Sequence, residues 1–160
     1  MKKYAFTLLF CLLLNGLVHA HHVTESTPPA LAVTQYMIKL DIDPGDIETR
    51  NKLANVLLKQ GKLAEASTEF GKVLRTSPGN YDAHVGIGSI SMQQGRYKEA
   101  IRSFEKAREI NGNRPEVYYH LGRTYRMMGM NSTAIEMYRK SLSLDKNPDI
   151  LRELGELGNN

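Results

Sequence analysis

The stretch Gly95-Arg96-Tyr97-Lys98-Glu99-Ala100 decides the fold, because related copies of it recur at a fixed distance. Thirty-four residues earlier the chain reads Gly61-Lys62-Leu63-Ala64-Glu65-Ala66, and thirty-four residues later it reads Gly129-Met130-Asn131-Ser132-Thr133-Ala134. An aromatic residue follows each alanine by four positions, at Phe70, Phe104 and Tyr138. A fixed period of this length is the signature of a stack of structural repeats.

Glycine marks two different places in each repeat. Gly61, Gly95 and Gly129 follow runs of helical length, and glycine readily adopts the left-handed conformation that ends a helix. Gly88 and Gly122 lie within such runs, where glycine costs about 1 kcal/mol relative to alanine. That cost predicts a close approach between two helices at these positions, with the aromatic rings and alanines alternating across the packed faces.

The period and the residue spacing resemble the tetratricopeptide repeat, which has two antiparallel helices per 34 residues. The third copy matches at Tyr118, Leu121, Gly122 and Tyr125 on its first helix, and at Ala134 and Tyr138 on its second. The earlier copies match at Leu53, Ala54, Leu57, Ala66, Phe70, Val73 and Pro78, and at Ile87, Gly88, Ala100, Phe104 and Ala107. Arg50 and His84 depart from the pattern, since the family prefers a bulky apolar residue there. The resemblance implies an all-α, right-handed superhelical solenoid of helix-turn-helix repeats.

The first twenty residues have the pattern of a secretory signal peptide. Two lysines precede an apolar stretch over residues 4–18, and Val18-His19-Ala20 suits a cleavage site. The apolar stretch is shorter than the roughly 20 residues that a membrane span requires. We therefore predict cleavage near Ala20, a periplasmic or secreted location, and membrane contact only during export. Cleavage removes Cys11, the only cysteine, so packing alone must stabilise the mature protein.

The rest of the chain divides by the same period. Residues 21–29 are predicted to be a flexible lead, and residues 30–160 a repeat domain. Within the domain we predict a half repeat at 30–46, full repeats at 47–80, 81–114 and 115–148, and a capping helix at 149–160. The half repeat is inferred because Ala32, Tyr36 and Pro44 precede their equivalents by 34 residues. Its single helix either caps the stack, as terminal repeats do, or packs against another copy of the protein.

The sequence contains no pattern that predicts catalysis. His84 and His120 stand alone, and there is no zinc-type histidine pair, phosphate-binding glycine loop or nucleophile elbow. We predict a protein without enzymatic activity, catalytic residues or cofactor. His21 and His22 beside a free amine suit Cu(II), but the preferred interpretation is a terminus without a physiological metal site. The net charge of +4 falls to +2 on cleavage, which is too small to indicate nucleic acid binding.

The predicted function is recognition of other proteins. In the family the first helices line a concave groove that binds peptide segments. The positions that would face this groove are Asn51, Asn55, Lys59, Val85, Ser89, Met92, Tyr119, Arg123, Arg126 and Met127. Tyrosine and arginine dominate binding hot spots, although Arg123 and Arg126 also suit a solvated face paired with Glu116. We expect an adaptor for assembly of a bacterial envelope complex of the pilus, secretion or cytochrome maturation type. The alternative is a scaffold that self-associates into a homo-oligomer through its leading helix.

Overall fold

A computed structural model describes residues 29–158 of the chain. This part consists of helices and their connections, with no β-strand among its residues. The helices are α1 (Pro29–Ile42), α2 (Ile47–Lys59), α3 (Leu63–Thr76), α4 (Tyr81–Gln93), α5 (Tyr97–Ile110), α6 (Pro115–Met127), α7 (Asn131–Leu144) and α8 (Pro148–Gly158). The predicted signal peptide and most of the predicted lead lie outside the described residues. Within them, no helix is both long enough and apolar enough to cross a membrane.

Consecutive helices pack as hairpins, and the hairpins stack into a solenoid. Three complete pairs are formed by α2 with α3, α4 with α5, and α6 with α7. At the two ends of the described part of the chain, α1 packs mainly on α2 and α8 packs mainly on α7. The prediction of an all-α tetratricopeptide-type superhelix is therefore confirmed.

The helix ends follow local chemistry. Aspartate and asparagine are favoured at the residue before a helix, so the sequence predicts caps at Asp46 and Asn80. Their side chains accept hydrogen bonds from the backbone N–H groups of Thr49 and Ala83 at the starts of α2 and α4, which confirms both caps. The three turn glycines have φ of 74°, in the left-handed region that the sequence predicted. The same preference predicts that Asn131 caps the second helix of the third repeat, and this prediction is wrong. Asn131 is the first residue of α7, and Met130 precedes it without a side-chain cap.

Aromatic rings seated on glycines hold the stack together. A Cβ atom on Gly122 would lie 2.6 Å from Cδ1 of Tyr138, and one on Gly88 would lie 2.5 Å from Cε1 of Phe104. Both rings are fully buried, so the predicted close approach between the two helices of a repeat is confirmed. The sequence reasoning missed Gly86, where a Cβ atom would collide with the ring of Phe70 from the preceding repeat. Glycines therefore seat rings both within a repeat and between repeats.

Candidate binding groove

The ten predicted groove residues lie on α2, α4 and α6, and their accessibility differs. Four of them are exposed: Asn55, Lys59, Arg123 and Met127. Four are half-buried: Val85, Met92, Tyr119 and Arg126. Asn51 and Ser89 are buried and offer a ligand little surface.

Asn51 connects two neighbouring repeats. Its side-chain amide donates to Oδ1 of Asn80 at 3.1 Å, and that same oxygen caps α4 by accepting from the backbone of Ala83 at 2.9 Å. Asn55, one turn further along α2, donates to the backbone carbonyl of Asn51 at 3.0 Å. Asn51 thus fixes α2 against the start of α4. Its place in the stack is structural, which spacing within one repeat does not reveal.

The middle of the groove is an apolar floor. Val85 and Met92 on α4 pack against the buried cluster that α5 and α6 form. The buried hydroxyl of Thr124 donates to the backbone carbonyl of His120 at 2.7 Å and lies 3.5 Å from the sulfur of Met92. These contacts join the second repeat to the third and leave few polar groups for a ligand.

The third repeat presents an aromatic and cationic edge. The guanidinium of Arg123 lies 5.7 Å from the ring centre of Tyr119, one turn earlier on α6, in a cation–π arrangement. Tyr119 itself rests beside the ring of Tyr138, with centres 6.1 Å apart. Among residues 29–158 no carboxylate pairs with Arg123, and Met127 is 61% exposed one turn further along. Tyr119, Arg123 and Met127 therefore form one accessible stripe, which we call the α6 edge.

Arg126 is already engaged by the protein itself. It pairs with Glu153 and, at 2.8 Å, with Glu156, both on α8. The hydrogen bond that Arg126 donates to Glu153 raises the pKa of Arg126, and the hydroxyl of Tyr138 donates to the same carboxylate at 3.0 Å. Arg126 is thus a contact that fixes α8, and the accessible part of this helix is the α6 edge.

Glu116, the pairing partner considered for the two arginines, is bound elsewhere. It accepts from Arg114 at 2.6 Å, and Arg114 also reaches Asp82 at 3.1 Å. The guanidinium of Arg114 lies over the ring of Tyr81, 4.2 Å from its centre. One arginine therefore neutralises the acidic groups at the start of α4 and α6. Arg123 and Lys59 remain as cations of the first helices without a carboxylate partner in the described residues.

His120 lies next to Tyr119 and is largely buried against the second repeat. Its ring stacks on Phe104 with centres 5.1 Å apart and planes 6° apart. Its Nδ1 atom is buried and has no hydrogen-bond partner within residues 29–158. Burial, and then the nearby charge of Arg123, lower the pKa of His120 to about 4, so the ring is neutral at pH 7. His84, by contrast, lies within 2.8 Å of the carbonyl of Pro78 through Nε2.

The arrangement suits binding by contact. Among the residues that the structure describes, no group of three histidine, cysteine, aspartate or glutamate side chains could hold a metal ion. What the first helices offer is an apolar floor, a ring with an arginine above it, a flexible methionine and a lysine. Tyrosine and arginine are among the residues that supply most of the affinity at protein–protein interfaces.

Fold and surface thus define a class, the helical repeat proteins that bind other proteins. Two family models described as tetratricopeptide repeat match residues 80–147 and 57–102. Together they cover residues 57–147, more than half of the chain. The chain belongs to the tetratricopeptide repeat family and is a protein-interaction module.

Solved structures agree with this assignment. A crystal structure of MamA superimposes with a TM-score of 0.69 at 25% identity, covering 79% of this chain and 75% of that one. TTC0263, a thermophilic tetratricopeptide repeat protein of Thermus thermophilus, gives 0.72 at 20% identity over 81% and 72%. MamA from Desulfovibrio magneticus RS-1 gives 0.71 at 23% identity over 82% and 75%. The last two likenesses show the fold alone. A search of curated proteins finds no match to the chain.

Proposed function

We propose that the protein is an exported, non-enzymatic adaptor that binds a peptide segment along its concave groove. The ligand is a segment of an envelope protein, acidic or bearing a free carboxylate beside an apolar residue. The system it serves is assembly of a bacterial envelope complex of the pilus, secretion or cytochrome maturation type. The observation that supports the groove best is the α6 edge, which is accessible and whose arginine lies next to a tyrosine and has no carboxylate partner within residues 29–158.

The expected chemistry of the ligand follows from Arg123 and Lys59, the cations of the first helices that have no carboxylate partner within residues 29–158. The guanidinium of Arg123 offers a forked set of donors that fits a carboxylate, and Tyr119 fixes it from below. Met127 is an adaptable apolar contact for a neighbouring side chain. Lys59 adds a second cation on α2, at the far end of the first helices. An acidic segment that runs from α6 towards α2 meets favourable charge at both ends.

The absence of enzymatic activity is part of the proposal. Families with this fold are generally non-enzymatic interaction scaffolds. His120 is held neutral against Phe104, in a setting that suits packing more than proton transfer to a ligand. Export is proposed from the sequence of residues 1–20. Terminal sequencing of the native protein tests it: a mature chain that begins at His21 is expected, whereas an intact Met1 in the cytosol contradicts it.

The groove is tested with a double variant, Tyr119→Ala with Arg123→Glu. Peptides are selected from a random display library on the wild-type protein and sequenced, and the affinity of the best peptide is measured for both proteins. We expect enrichment of Asp or Glu beside a large apolar residue, and a loss of about thirtyfold in affinity for the variant.

The matched control removes the same residue types from the second helix of another repeat, Tyr97→Ala with Arg102→Glu on α5. This control should bind the peptide with wild-type affinity. A folded groove variant that keeps full affinity, or a library that yields no acidic preference, overturns the groove. In-cell crosslinking with the same pair of variants then connects the selected chemistry to the native partner.

A second candidate, a self-associating scaffold, has one specific observation in its favour. The leading helix α1 exposes four large apolar side chains, Leu31, Met37, Ile38 and Ile42, with between 48% and 81% of each accessible. An exposed apolar face of this extent on a helix marks an interaction site.

A further inference from the structure

Methionine is the only sulfur-containing residue type that the mature chain retains. Cys11 is the single cysteine, and it lies in the segment whose removal we predict. Three methionines among residues 29–158 are exposed: Met127 is 61% accessible, Met37 54% and Met130 44%. Oxidation of sulfur side chains follows their exposure, so a peroxide in solution reaches the thioether of Met127 most readily.

The position of Met127 on α6 places its side chain beside Arg123. Residues four apart on a helix are neighbours, with about 5–6 Å between their Cβ atoms. Side chains of a helix point back towards its N-terminus, so the thioether of Met127 is directed over the turn that contains Arg123. The guanidinium of Arg123 lies 5.7 Å from the ring centre of Tyr119 and has no carboxylate partner within residues 29–158. Its hydrogen-bond donors are therefore available to a neighbouring acceptor.

Oxidation changes what Met127 offers to that arginine. The thioether sulfur is a weak hydrogen-bond acceptor and an adaptable apolar surface. The sulfoxide is polar, and its oxygen is a hydrogen-bond acceptor on the same flexible side chain. Because the guanidinium of Arg123 has donors and no acceptor, a sulfoxide oxygen four residues away is a suitable partner for it. The oxidised side chain thus occupies donors that a ligand carboxylate would use, and the apolar contact is lost at the same time.

The other two exposed methionines lack such a neighbour. Met37 borders a cleft whose charged residues are both glutamates, and a sulfoxide there gains no cationic donor from them. Met130 lies in the turn before α7, and the arginine four positions earlier is Arg126, which α8 already engages. Among the exposed methionines of the described residues, only Met127 therefore has an unpaired arginine in helical register.

We propose that Met127 is a redox-sensitive modification site whose oxidation blocks the α6 edge, an inference that rests on the proposed groove. In the reaction with hydrogen peroxide, the sulfur lone pair attacks one peroxide oxygen, so a sulfur–oxygen bond forms and the oxygen–oxygen bond breaks. The departing hydroxide takes the proton of the new S–OH group and leaves as water. The sulfur loses two electrons, and the peroxide gains them. A methionine sulfoxide reductase restores the thioether with a dithiol, which becomes a disulfide as water is released.

The modification itself is tested without a ligand. Mature protein is treated with graded amounts of hydrogen peroxide, and mass spectrometry of its peptides gives the extent of oxidation at each methionine. We expect Met127 to be oxidised before Met37 and Met130. The Nε–H signal of Arg123 is followed by NMR, and its exchange with solvent should slow on oxidation because the sulfoxide accepts from the guanidinium. Met127→Leu keeps the side-chain volume and cannot be oxidised, so its Arg123 signal should not respond.

The consequence for binding is measured with the acidic peptide selected on the wild-type protein. Oxidised wild type should bind this peptide about tenfold more weakly than the reduced protein, and treatment with the reductase and a dithiol should restore the affinity. Met127→Leu should bind equally well before and after exposure to peroxide. Met130→Leu removes an exposed methionine outside the α6 edge, so it should lose affinity on oxidation as wild type does.

Other outcomes overturn the proposal. If Met37 or Met130 is oxidised before Met127, or if oxidation leaves the exchange of the Arg123 Nε–H unchanged, Met127 is not the site that the geometry indicates. Equal affinity of the peptide for oxidised and reduced protein means that oxidation does not block the α6 edge, while the groove itself stands. If the Arg123 signal responds but no peptide binds the wild-type protein, the modification site is supported and the proposed groove is contradicted.

Discussion

The interior of the stack and its outer helix α8 place glycine in opposite environments. Gly122 in α6 has a ring pressed against it, while Gly155 in α8 occupies the same repeat position beside open space. His120 in the interior is stacked and neutral, and its equivalent in α8 is Glu153, paired with Arg126. The repeat pattern therefore places a glycine where a neighbouring helix can pack a ring. That glycine contributes to stability only where the neighbouring helix is present.

The seam between helices shows the same difference in its charges. In the first repeat Arg50 pairs with Glu69 at 2.8 Å, and Lys72 reaches the same carboxylate at 2.6 Å. Burial by itself pushes the pKa of Glu69 up, but the hydrogen bonds from Lys72 and Arg50 outweigh it and leave the pKa lowered. On α8 the position of Arg50 holds the exposed Leu151. At this repeat position a charged side chain thus occurs on α2, where α3 supplies its partner, and an apolar side chain occurs on α8.

The largest effect should come from adding a side chain at Gly122, against which the ring of Tyr138 already packs. Gly122→Leu forces a side chain into the ring of Tyr138, and we expect a loss of about 3 kcal/mol or more in the free energy of unfolding through overpacking. Gly155→Leu is the matched change on α8. It should alter the unfolding free energy of the monomer by less than about 0.5 kcal/mol, because nothing lies within 4 Å.

Urea melts of both variants at low concentration measure the difference. Equal midpoints for the two would break the comparison, since they would mean that Gly122 has room for a side chain. A large loss at Gly155 would mean that another helix already covers α8 in the isolated protein.

A smaller loss in the free energy of unfolding should occur when the pH is lowered and His120 is protonated. The pKa of His120 is about 4 in the fold and 6.5 as its ordinary value, so between these values the unfolded chain binds more protons. The stability that the neutral ring provides is complete above about pH 6.5 and is lost as the pH falls towards 4, by at most about 3 kcal/mol.

Melts of wild type and His120→Phe over this range isolate the contribution, because carboxylates that titrate in both proteins cancel in the difference. Phenylalanine keeps the stack on Phe104 and cannot be protonated. The variant should therefore show a flatter dependence between pH 6.5 and 4. Parallel curves would show that the ring is accessible to solvent in the fold.

Much of the fold was predictable from residues that recur with the period. These local features are the rings packed on Gly88 and Gly122, the turns at the left-handed glycines, and the caps at Asp46 and Asn80. Each can be predicted from the sequence of a single repeat. The groove was less predictable, because its accessibility depends on contacts between repeats. Asn51 was assigned to the groove by its register, yet it bonds to Asn80 of the next repeat. The engagement of Arg126 by α8 likewise joins residues 27 and 30 positions apart, beyond any local pattern.

Breaking the interior ion pair of Arg50 should lower the free energy of unfolding by about 1 kcal/mol more than breaking the outer ion pairs of Arg126. Glu69 in the interior has a side chain only 13% exposed, so Arg50→Gln leaves a buried carboxylate with one partner fewer and should cost about 1–2 kcal/mol. The side chain of Arg126 is 35% exposed against 16% for Arg50, and Tyr138 still donates to Glu153 after the change, so Arg126→Gln should cost about 0.5–1 kcal/mol.

Hydrogen exchange locates each loss. Arg126→Gln should accelerate exchange in α8 alone, whereas Arg50→Gln should lower protection throughout the first repeat. A global loss from Arg126→Gln would show that α8 folds as one unit with the interior, which would remove the distinction between the two regions.

The smallest effect, and the one of opposite sign, is expected from Gly155→Ala. Glycine within a helix is less favourable than alanine by about 1 kcal/mol, and near the end of α8 the gain should be about 0.5 kcal/mol. A Cβ atom here meets no neighbour, so no clash offsets the gain. Gly88→Ala, with the ring of Phe104 at 2.5 Å, should instead destabilise the protein. Amide exchange of α8 in dilute protein measures the gain. Slower exchange at Gly155→Ala together with a lower melting point at Gly88→Ala means that α8 holds an open seat. Faster exchange at Gly155→Ala would mean that this seat is already occupied.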